Sequence, residues 1–370
     1  MRRSVMRVAI GDFETRAARD LRRTGVEAYV ECPHFRAACL AWTFDDCDGV
    51  DQPIASWDII QNPDATAASP LFAHIRAGGI LVAHNARFEY CVWNELHRRQ
   101  PDVWPKLDRS QLVDTMALAR AVGMPAALFD LVCALRLPLK KDEEGHRLML
   151  RLCKPRKPLK HEKHLAGPLW NEAPEDLTRQ VIYCERDVAA ERLAWRRLPA
   201  LPSIEAETWQ HDQEINDTGI HVDLEAARNC LALVQFEKNR LNGRLAALTG
   251  GYVNTADSTD ALRAWLAARD CPIPDLRKLT VETWLARTDL EPECREALMI
   301  RQECSRSGVA KLQAAILGAC RDGRLHGLLE YWAALTGRWA GRRFQPHNMM
   351  RCPETFDETD SEEVFAWAAL

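Results

Sequence analysis

The feature that most constrains the fold of this chain is the segment Val8–Glu14, where a run of apolar residues leads directly into two acidic ones. Side chains alternate between the two faces of a strand, so Asp12 and Glu14 share the face that also carries Ile10. We therefore predict a strand that delivers two carboxylates to one point. Taken alone, such an acidic pair can equally be solvated surface charge.

The second acidic motif, Asn85–Glu89, follows the apolar run Ile80–Ala83. Such a run is typical of a buried strand. Asn85 is a natural N-cap for a helix that we predict to begin at Ala86. Glu89 would then lie in the first turn, where the positive end of the helix favours a carboxylate. The alternative is a plain helix cap followed by a first-turn acid. His84 is expected to be structural, because no histidine or cysteine stands at a zinc-like spacing from it.

A third pattern lies in the segment Glu175–Arg197, whose apolar residues recur at helical spacing. Tyr183 and Asp187 are four residues apart and should share one face of this helix. A tyrosine with a reference pKa of about 10 is neutral near pH 7, so its expected task beside a metal-bound water is to orient that water. The alternative is a tyrosine that only reaches solvent from the helix edge.

Together these patterns supply four carboxylates, those of Asp12, Glu14, Glu89 and Asp187. Carboxylate oxygens are preferred ligands of Mg²⁺ and Mn²⁺. Two such ions, roughly 3.5–4 Å apart, can hold the attacking and leaving oxygens of a phosphodiester displacement. If the patterns converge, the sequence predicts a site for two Mg²⁺ or Mn²⁺ ions.

In order and residue type, the three motifs resemble the proofreading 3′→5′ exonuclease superfamily with four acidic residues, in the subclass with a tyrosine in its last motif. The resemblance implies an α/β, ribonuclease H-like domain with a mixed sheet and flanking helices. It also implies that Asp12, Glu14 and Asp187 hold the first metal ion. Asp12 and Glu89 would serve the second ion, and Tyr183 would position the water. Many members carry Asp where this chain has Glu89, whose longer side chain can act through a bridging water.

Three further residues near these motifs bear on the same resemblance. Asn85 and Phe88, beside the second motif, are assigned to DNA contacts. Asp114 also resembles a position near the site, but we interpret it as a helix-start acid and leave it out of the catalytic set.

The later part of the chain resembles a different part of the same enzymes. The segment Trp209–Asp223 is similar to the opening of the thumb of family A DNA polymerases, as found in phage replicases. The segment Thr336–Asn348 is similar to their thumb-to-palm segment, which lies along the primer–template minor groove. Glycines allow close approach to phosphates, arginines supply positive charge, and amides can bond base edges. The expected DNA contacts are Thr336, Arg338, Arg342, Gln345 and Asn348; a surface turn rich in Gly and Arg is the alternative.

The polymerase palm and fingers of that family would follow Asn348, where only Met349–Leu370 remain. We therefore expect the front part of a proofreading polymerase, truncated before the polymerising motifs. Such a chain should not extend a primer alone. A separate polypeptide that carries the palm and fingers is one candidate partner, besides DNA with single-stranded 3′ ends and primer–template DNA.

These assignments divide the 370 residues into an exonuclease domain at 1–198, a mostly helical thumb at 199–330 and the incomplete start of a palm at 331–370. With 47% hydrophobic and 28% charged residues and no run of 18 apolar residues, the chain is expected to be soluble, cytoplasmic and without a membrane partner. The net charge of −4 argues against a uniformly basic nucleic-acid binder. The basic stretch Arg147–Lys163 is either a guide for single-stranded DNA or a solvated loop.

Two alternative functions remain at this stage. An exoribonuclease of the same superfamily would use the same metal chemistry, although Thr336–Arg342 favours DNA. A non-catalytic, DNA-binding polymerase remnant would be expected to have lost at least one metal ligand, and none is missing here.

Overall fold

A computed structural model describes residues 7–46, 49–305, 308–334 and 336–349 of the chain. The described residues separate into two compact units. The first comprises the described chain from Arg7 to His221 together with Leu317–His347, and the second comprises Val222–Ile316 together with Asn348 and Met349.

The first unit is built on a five-stranded sheet. Its strands are β1 (Val8–Arg16), β2 (Arg36–Asp45), β3 (Ala55–Asp58), β4 (Ile80–Ala83) and β5 (Leu112–Asp114). Their spatial order is β3-β2-β1-β4-β5, with β1 antiparallel to β2, β2 antiparallel to β3, and β1, β4 and β5 mutually parallel. The predicted mixed α/β organisation is therefore confirmed.

Within the described residues, nine helices of the first unit precede its last short strands. They are α1 (Leu21–Thr24), α2 (Val26–Val30), α3 (Ser69–Arg76), α4 (Ala86–Arg99), α5 (Thr115–Ala121), α6 (Leu128–Ala134), α7 (Glu143–Leu152), α8 (Pro174–Arg197) and α9 (Ser203–Thr218). Two two-residue strands, β6 (Ile220–His221) and β7 (Arg324–Leu325), pair with each other, as do β8 (Leu329–Glu330) and β9 (Ala340–Gly341). Short 3₁₀ turns occur at Ala65–Ala68, Arg109–Gln111, Lys160–Glu162 and Pro346–Asn348.

Both faces of β1 are buried, and this decides where its acidic residues point. Ala9 and Phe13 face an aromatic core that includes Trp93 and Trp104. The opposite face, with Ile10, packs in the separate core that α8 supplies. By strand alternation this second face also carries the two acidic residues, so they are directed toward α8.

Helix α8 begins with Pro174 in its first turn, where a missing N–H costs nothing, and it ends in two arginines that complement the helix dipole. Its buried residues include Leu177, Cys184 and Val188, which lie two turns and then one turn apart on the helix. The predicted helix is confirmed, and its regular apolar face explains why it lies flat against the sheet.

The boundary predicted after residue 198 lies inside the first unit. Trp209 of α9 and Tyr331 belong to the same buried core as the aromatic residues of the sheet. The side chain of Asn216 bonds both Leu329 N, at 2.9 Å, and Leu329 O, at 3.0 Å. These long-range contacts attach α9 and the β8–β9 hairpin to the sheet domain. The predicted boundary at 331 also lies within this unit, and residues 350–370 of the predicted palm fall outside the described residues.

The second unit is helical, as predicted for that part of the chain. It contains α10 (Leu224–Leu248), α11 (Thr259–Ala267), α12 (Lys278–Leu285) and α13 (Pro292–Cys304), and α14 (Gly308–Gly318) runs to its boundary. Leu245, Leu262 and Leu298 lie at the centre of its core. Among the described residues, no helix has the length and apolar character that a bilayer crossing requires.

Candidate metal centre and nucleic-acid contacts

Three carboxylates from two elements meet at one end of the sheet. One carboxylate oxygen each of Asp12 and Glu14, on β1, and of Asp187, on α8, lie within 4.8 Å of one another. Helix α8 packs directly on the face of β1 that carries the acids, and Asp187 lies one turn from the buried Cys184 at that contact. The Cys184 thiol itself donates to the backbone oxygen of Asp12 at 3.2 Å.

The pKa values of these three carboxyl groups are raised because the groups are desolvated and lie close together. Burial raises the pKa of Asp12 to about 7 and that of Asp187 to about 8, with the charge of Asp12 adding to the shift at Asp187. The pKa of Glu14 is raised well above its ordinary value by burial and then by Asp12 and Asp187. One Asp187 oxygen, Oδ1, is buried and makes no hydrogen bond to the described residues. Close, desolvated oxygens with free lone pairs suit a divalent cation such as Mg²⁺ or Mn²⁺.

The fourth predicted carboxylate, Glu89, stands in the first turn of α4, as the sequence indicates. Its side chain is 2% exposed, and its Oε2 atom is buried without a hydrogen-bond partner among the described residues. Burial raises the pKa of Glu89 well above its ordinary value, and the charge of Asp12 raises it further. Glu89 is therefore close enough to Asp12 to repel it, although it is outside the tight group of three oxygens.

The start of α4 is formed differently from the sequence prediction. Asn85 occupies the N-cap position but has a left-handed backbone (φ 69°) and makes no side-chain capping bond. The side chain of Asp114 stabilises this helix start instead. Its Oδ1 accepts one hydrogen bond from the Asn85 N–H at 2.9 Å and another from the Met116 N–H at 2.9 Å. One carboxylate thus caps α5, as predicted for Asp114, and also fixes the start of α4.

Tyr183 lies beside Asp187 in the same buried region. Its pKa is raised above the ordinary range by burial and by the neighbouring charges of Asp187 and Glu14. The hydroxyl also lies 3.5 Å from Nδ1 of His146 on α7. The tyrosine is therefore a neutral hydrogen-bond donor at physiological pH.

A fifth buried acid, Glu191, was not identified from the sequence. It is 1% exposed and lies one turn beyond Asp187 on α8. Thr115 Oγ1 donates to it at 3.2 Å, and burial followed by the charge of Glu89 raises its pKa well above its ordinary value. Tyr183, Asp187 and Glu191 follow one another at intervals of four residues, and this spacing would have predicted that Glu191 shares the helix face of the other two.

His84 is structural, as predicted from its spacing. Its two ring nitrogens lie 2.9 Å from Thr115 Oγ1 and 2.7 Å from Ala126 O. Burial lowers its pKa to about 4, so the ring is neutral at physiological pH.

The residues predicted to contact DNA fall into two groups. Asn85, Phe88 and Arg342 line one cavity of about 420 Å³ in the first unit. Arg342 forms an ion pair with Glu330 there, and Arg120 pairs with the same carboxylate. The remaining four do not line this cavity: Thr336, Arg338, Gln345 and Asn348.

Within that second group, Arg338 is exposed, and its side chain makes no hydrogen bond or ion pair with any residue that the structure describes. The neighbouring Trp339 is instead held in place, because its indole Nε1 donates to the buried Asp212 at 2.7 Å. The segment therefore presents a solvent-facing guanidinium next to an anchored residue.

No protein-family model matches the chain. Its sequence is nevertheless homologous to a DNA polymerase. That relative is the DNA polymerase of Bacillus phage SP02, which is 32% identical over 342 residues, covering 91% of this chain and 50% of the relative. This homology confirms the predicted relationship to a phage DNA polymerase.

Among solved structures, the POL domain of Pol1 from M. smegmatis, in complex with DNA primer-template and dNTP, aligns with a TM-score of 0.47. The alignment has 15% sequence identity and covers 94% of this chain and 53% of that chain. The chain thus spans about half the length of the relatives it matches.

Proposed function

We propose that this chain is a metal-dependent 3′→5′ exonuclease acting on DNA, the proofreading front part of a family A-type DNA polymerase. The observation that carries the proposal is the group of three carboxylates, one buried and two half-buried, whose oxygens lie within 4.8 Å of one another. Homology to a phage DNA polymerase supports the choice of DNA as substrate. The mixed five-stranded sheet with helices packed on it supports a ribonuclease H-like fold for the first unit.

In this proposal Asp12, Glu14 and Asp187 hold one Mg²⁺ or Mn²⁺ ion, and Asp12 and Glu89 serve a second. Bound ions of this kind lower the pKa of a coordinated water and stabilise charge on the leaving oxygen. The free oxygens of Asp187 and Glu89 are the donor atoms available for them.

In the proposed reaction, a residue of the chain positions the water that attacks the phosphodiester. Tyr183 is a neutral donor next to Asp187, so it can hold the attacking water in line with the phosphorus without taking its proton. The water oxygen bonds to phosphorus, the bond from phosphorus to the 3′ oxygen of the preceding nucleotide breaks, and that oxygen takes up a proton. The products are a nucleoside 5′-monophosphate and a strand shortened by one residue.

We extend the proposal to the rest of the chain on the same kinship. The helical unit Val222–Ile316 would correspond to the thumb, and Thr336–Asn348 would contact primer–template DNA. The activity proposed here is hydrolysis at the carboxylate group of the first unit.

The test is degradation of one single-stranded DNA labelled at its 5′ end or at its 3′ end, in Mg²⁺ or Mn²⁺. A 3′→5′ exonuclease releases the 3′ label at once as a mononucleotide and turns the 5′-labelled strand into a ladder. Asp12→Asn and Asp187→Asn should abolish both signals. Glu185→Gln is the matched control, since Glu185 lies on the same helix but bonds Ser56 Oγ at 2.6 Å.

The two alternative functions are outcomes of the same experiment. Faster degradation of an RNA strand of the same sequence would favour an exoribonuclease. Absence of degradation, or equal degradation by wild type and Asp12→Asn, would contradict the proposal and leave a DNA-binding polymerase remnant.

A further inference from the structure

A strongly basic stretch begins within α7 and continues beyond it, and the proposed metal chemistry does not use it. Between residues 145 and 171, seven basic residues stand against the single acid Glu162, in a chain whose net charge is −4. The basic residues are Arg147, Arg151, Lys154, Arg156, Lys157, Lys160 and Lys163. We call residues 153–172 the basic loop.

The basic loop has a defined internal structure. Arg156 N donates to Leu169 O at 2.8 Å, and the Arg156 guanidinium makes two bonds of 2.6 Å to the Glu162 carboxylate. Glu162 also accepts from the Leu159 N–H at 2.8 Å. Glu162 is thus fully used in holding the loop together.

Three lysines project from this loop without a counter-charge. Lys157, Lys160 and Lys163 are all exposed, and none forms an ion pair within the part of the chain that the structure describes. Their charges are available to a ligand.

Both ends of the basic loop are fixed to the strand that carries the metal ligands. The Ala17 N–H donates to Cys153 O at 3.2 Å, and Arg16 Nη2 donates to Glu172 Oε1 at 2.6 Å. The Arg16 guanidinium also lies 4.9 Å above the Trp170 ring. Arg16 is two residues beyond Glu14 on β1, which is about 7 Å along a strand. The loop therefore starts and finishes beside the carboxylate group.

A cavity of about 460 Å³ lies between the basic loop and the start of β2. Its lining includes Arg36, Arg156, Trp170 and the backbone of Gly167. Next to Trp170, Arg16 is 2% exposed and its Nε atom is buried without an acceptor among the described residues. Guanidinium groups beside an aromatic ring match the phosphates and base faces of a single strand.

We propose that the basic loop and this cavity bind single-stranded DNA on the 5′ side of the phosphodiester that is cleaved. The inference rests on the proposed exonuclease function. Only the upstream part of the strand continues past the metal centre, so a contact outside the centre must be to that part. The lysines would contact backbone phosphates, and Trp170 would stack on a base.

The test compares the triple variant Lys157→Ala/Lys160→Ala/Lys163→Ala with a matched triple, Lys106→Ala/Arg197→Ala/Lys278→Ala, which removes three exposed charges outside the loop. Binding of a labelled 12-nucleotide single strand is measured by fluorescence anisotropy in Ca²⁺ at several salt concentrations. The loop triple should bind roughly tenfold more weakly, and its slope of log K against log salt should be smaller by up to about 2. The matched triple should resemble wild type.

A second arm separates this inference from the proposed function. Hydrolysis of the p-nitrophenyl ester of thymidine 5′-monophosphate, which has no upstream strand, reports on the metal centre alone. The loop triple should cleave this ester at the wild-type rate but show a raised KM for the 12-nucleotide strand. Arg36→Ala, which changes the cavity and leaves the loop intact, should also raise that KM.

If the loop triple binds the strand as tightly as the matched triple and has the same KM, the basic loop is not the strand-binding site. This holds even if the loop triple hydrolyses the ester at the full rate. Absence of ester hydrolysis by wild type would instead contradict the proposed function, and the anisotropy result would still decide whether the loop binds the strand.

Discussion

Gly145 of α7 lies directly against the ring of Tyr183 of α8. A Cβ atom built on Gly145 would be 2.5 Å from Cδ2 of Tyr183, well inside contact distance. Helix α7 is held in this position by Asp142, which accepts from the Gly145 N–H at 2.9 Å and forms an ion pair of 2.5 Å with Arg179 of α8. The tyrosine ring is thus positioned by backbone from a neighbouring helix.

We expect Gly145→Ala to slow strand hydrolysis by roughly ten- to a hundredfold through kcat, because the added methyl group must displace the tyrosine ring. Alanine is a better helix former than glycine by about 1 kcal/mol, so lost helix propensity would not explain the effect. Steady-state kinetics with Glu143→Ala, an exposed change in the same helix, provide the control. Unchanged kcat in Gly145→Ala would show that the ring position does not matter.

Tyr183→Phe should slow hydrolysis by about 10²–10⁴, the range typical of a group that positions or handles a proton. The variant keeps the ring and removes only the hydroxyl beside the Asp187 charge. Single-turnover rates measure the loss, and Mn²⁺ titration should give nearly the wild-type affinity. A parallel loss of metal affinity would mean that the hydroxyl supports the ligands and not the water.

In the absence of metal, the carboxylate group should make stability fall as pH rises. The pKa values of about 7 for Asp12 and about 8 for Asp187 lie above the value of 3.8 expected in the unfolded chain. The protonated carboxyls therefore stabilise the fold fully below about pH 4, and this contribution is lost as pH rises through 7 and 8.

Asp12→Asn removes one of these titrations, so the metal-free variant should unfold several degrees above wild type at pH 8, and the difference should be smaller at pH 5, where only part of the stabilising contribution is lost. Each pKa unit corresponds to about 1.4 kcal/mol, and each kcal/mol to roughly 2–4 °C in a chain of this size class. Thermal unfolding in EDTA at both pH values measures the difference. If the difference in unfolding temperature between variant and wild type does not increase with pH, an ionisable group is not buried at this position.

Metal affinity should rise steeply over the same pH range, because Mn²⁺ has to displace protons from Asp12 and Asp187. We expect Mn²⁺ to raise the unfolding temperature of wild type at pH 8 and much less at pH 5.5. Asp187→Asn is the control and should respond weakly at both values. An increase that is independent of pH would place the ion elsewhere.

Arg338→Ala should weaken primer–template affinity about equally across DNA sequences and lower the salt dependence of binding by roughly one counterion. Arg342→Ala should have a smaller effect, because Arg342 is already paired with Glu330. Anisotropy with two unrelated duplex sequences tests both variants. If Arg338→Ala binds duplex DNA as tightly as wild type does, the segment Thr336–Asn348 is a surface turn and not a DNA contact.

Local pattern was sufficient for the elements that carry the site. The alternation in β1, the apolar run of β4 and the helical spacing in α8 are each encoded by neighbouring residues, and the structure forms these elements where they were predicted. Asp12, Glu14 and Asp187 were therefore predictable as a group.

What the sequence did not reveal depends on residues that are distant along the chain. The contact of Gly145 with Tyr183 and the bond of Thr115 to Glu191 join different elements. The extension of the first unit beyond residue 198 follows from the shared core of Trp209 and Tyr331. Periodicity carries no information about such pairs.

The double cap made by Asp114 has a consequence for the choice of metal. Since one carboxylate fixes the starts of both α4 and α5, the backbone below Glu89 is tied to the end of β5 and cannot shift independently. Ions of different radius must then be accommodated by the side chain alone. Under the proposed function, the extra methylene of glutamate, relative to aspartate, would give Glu89 the reach that its anchored backbone lacks.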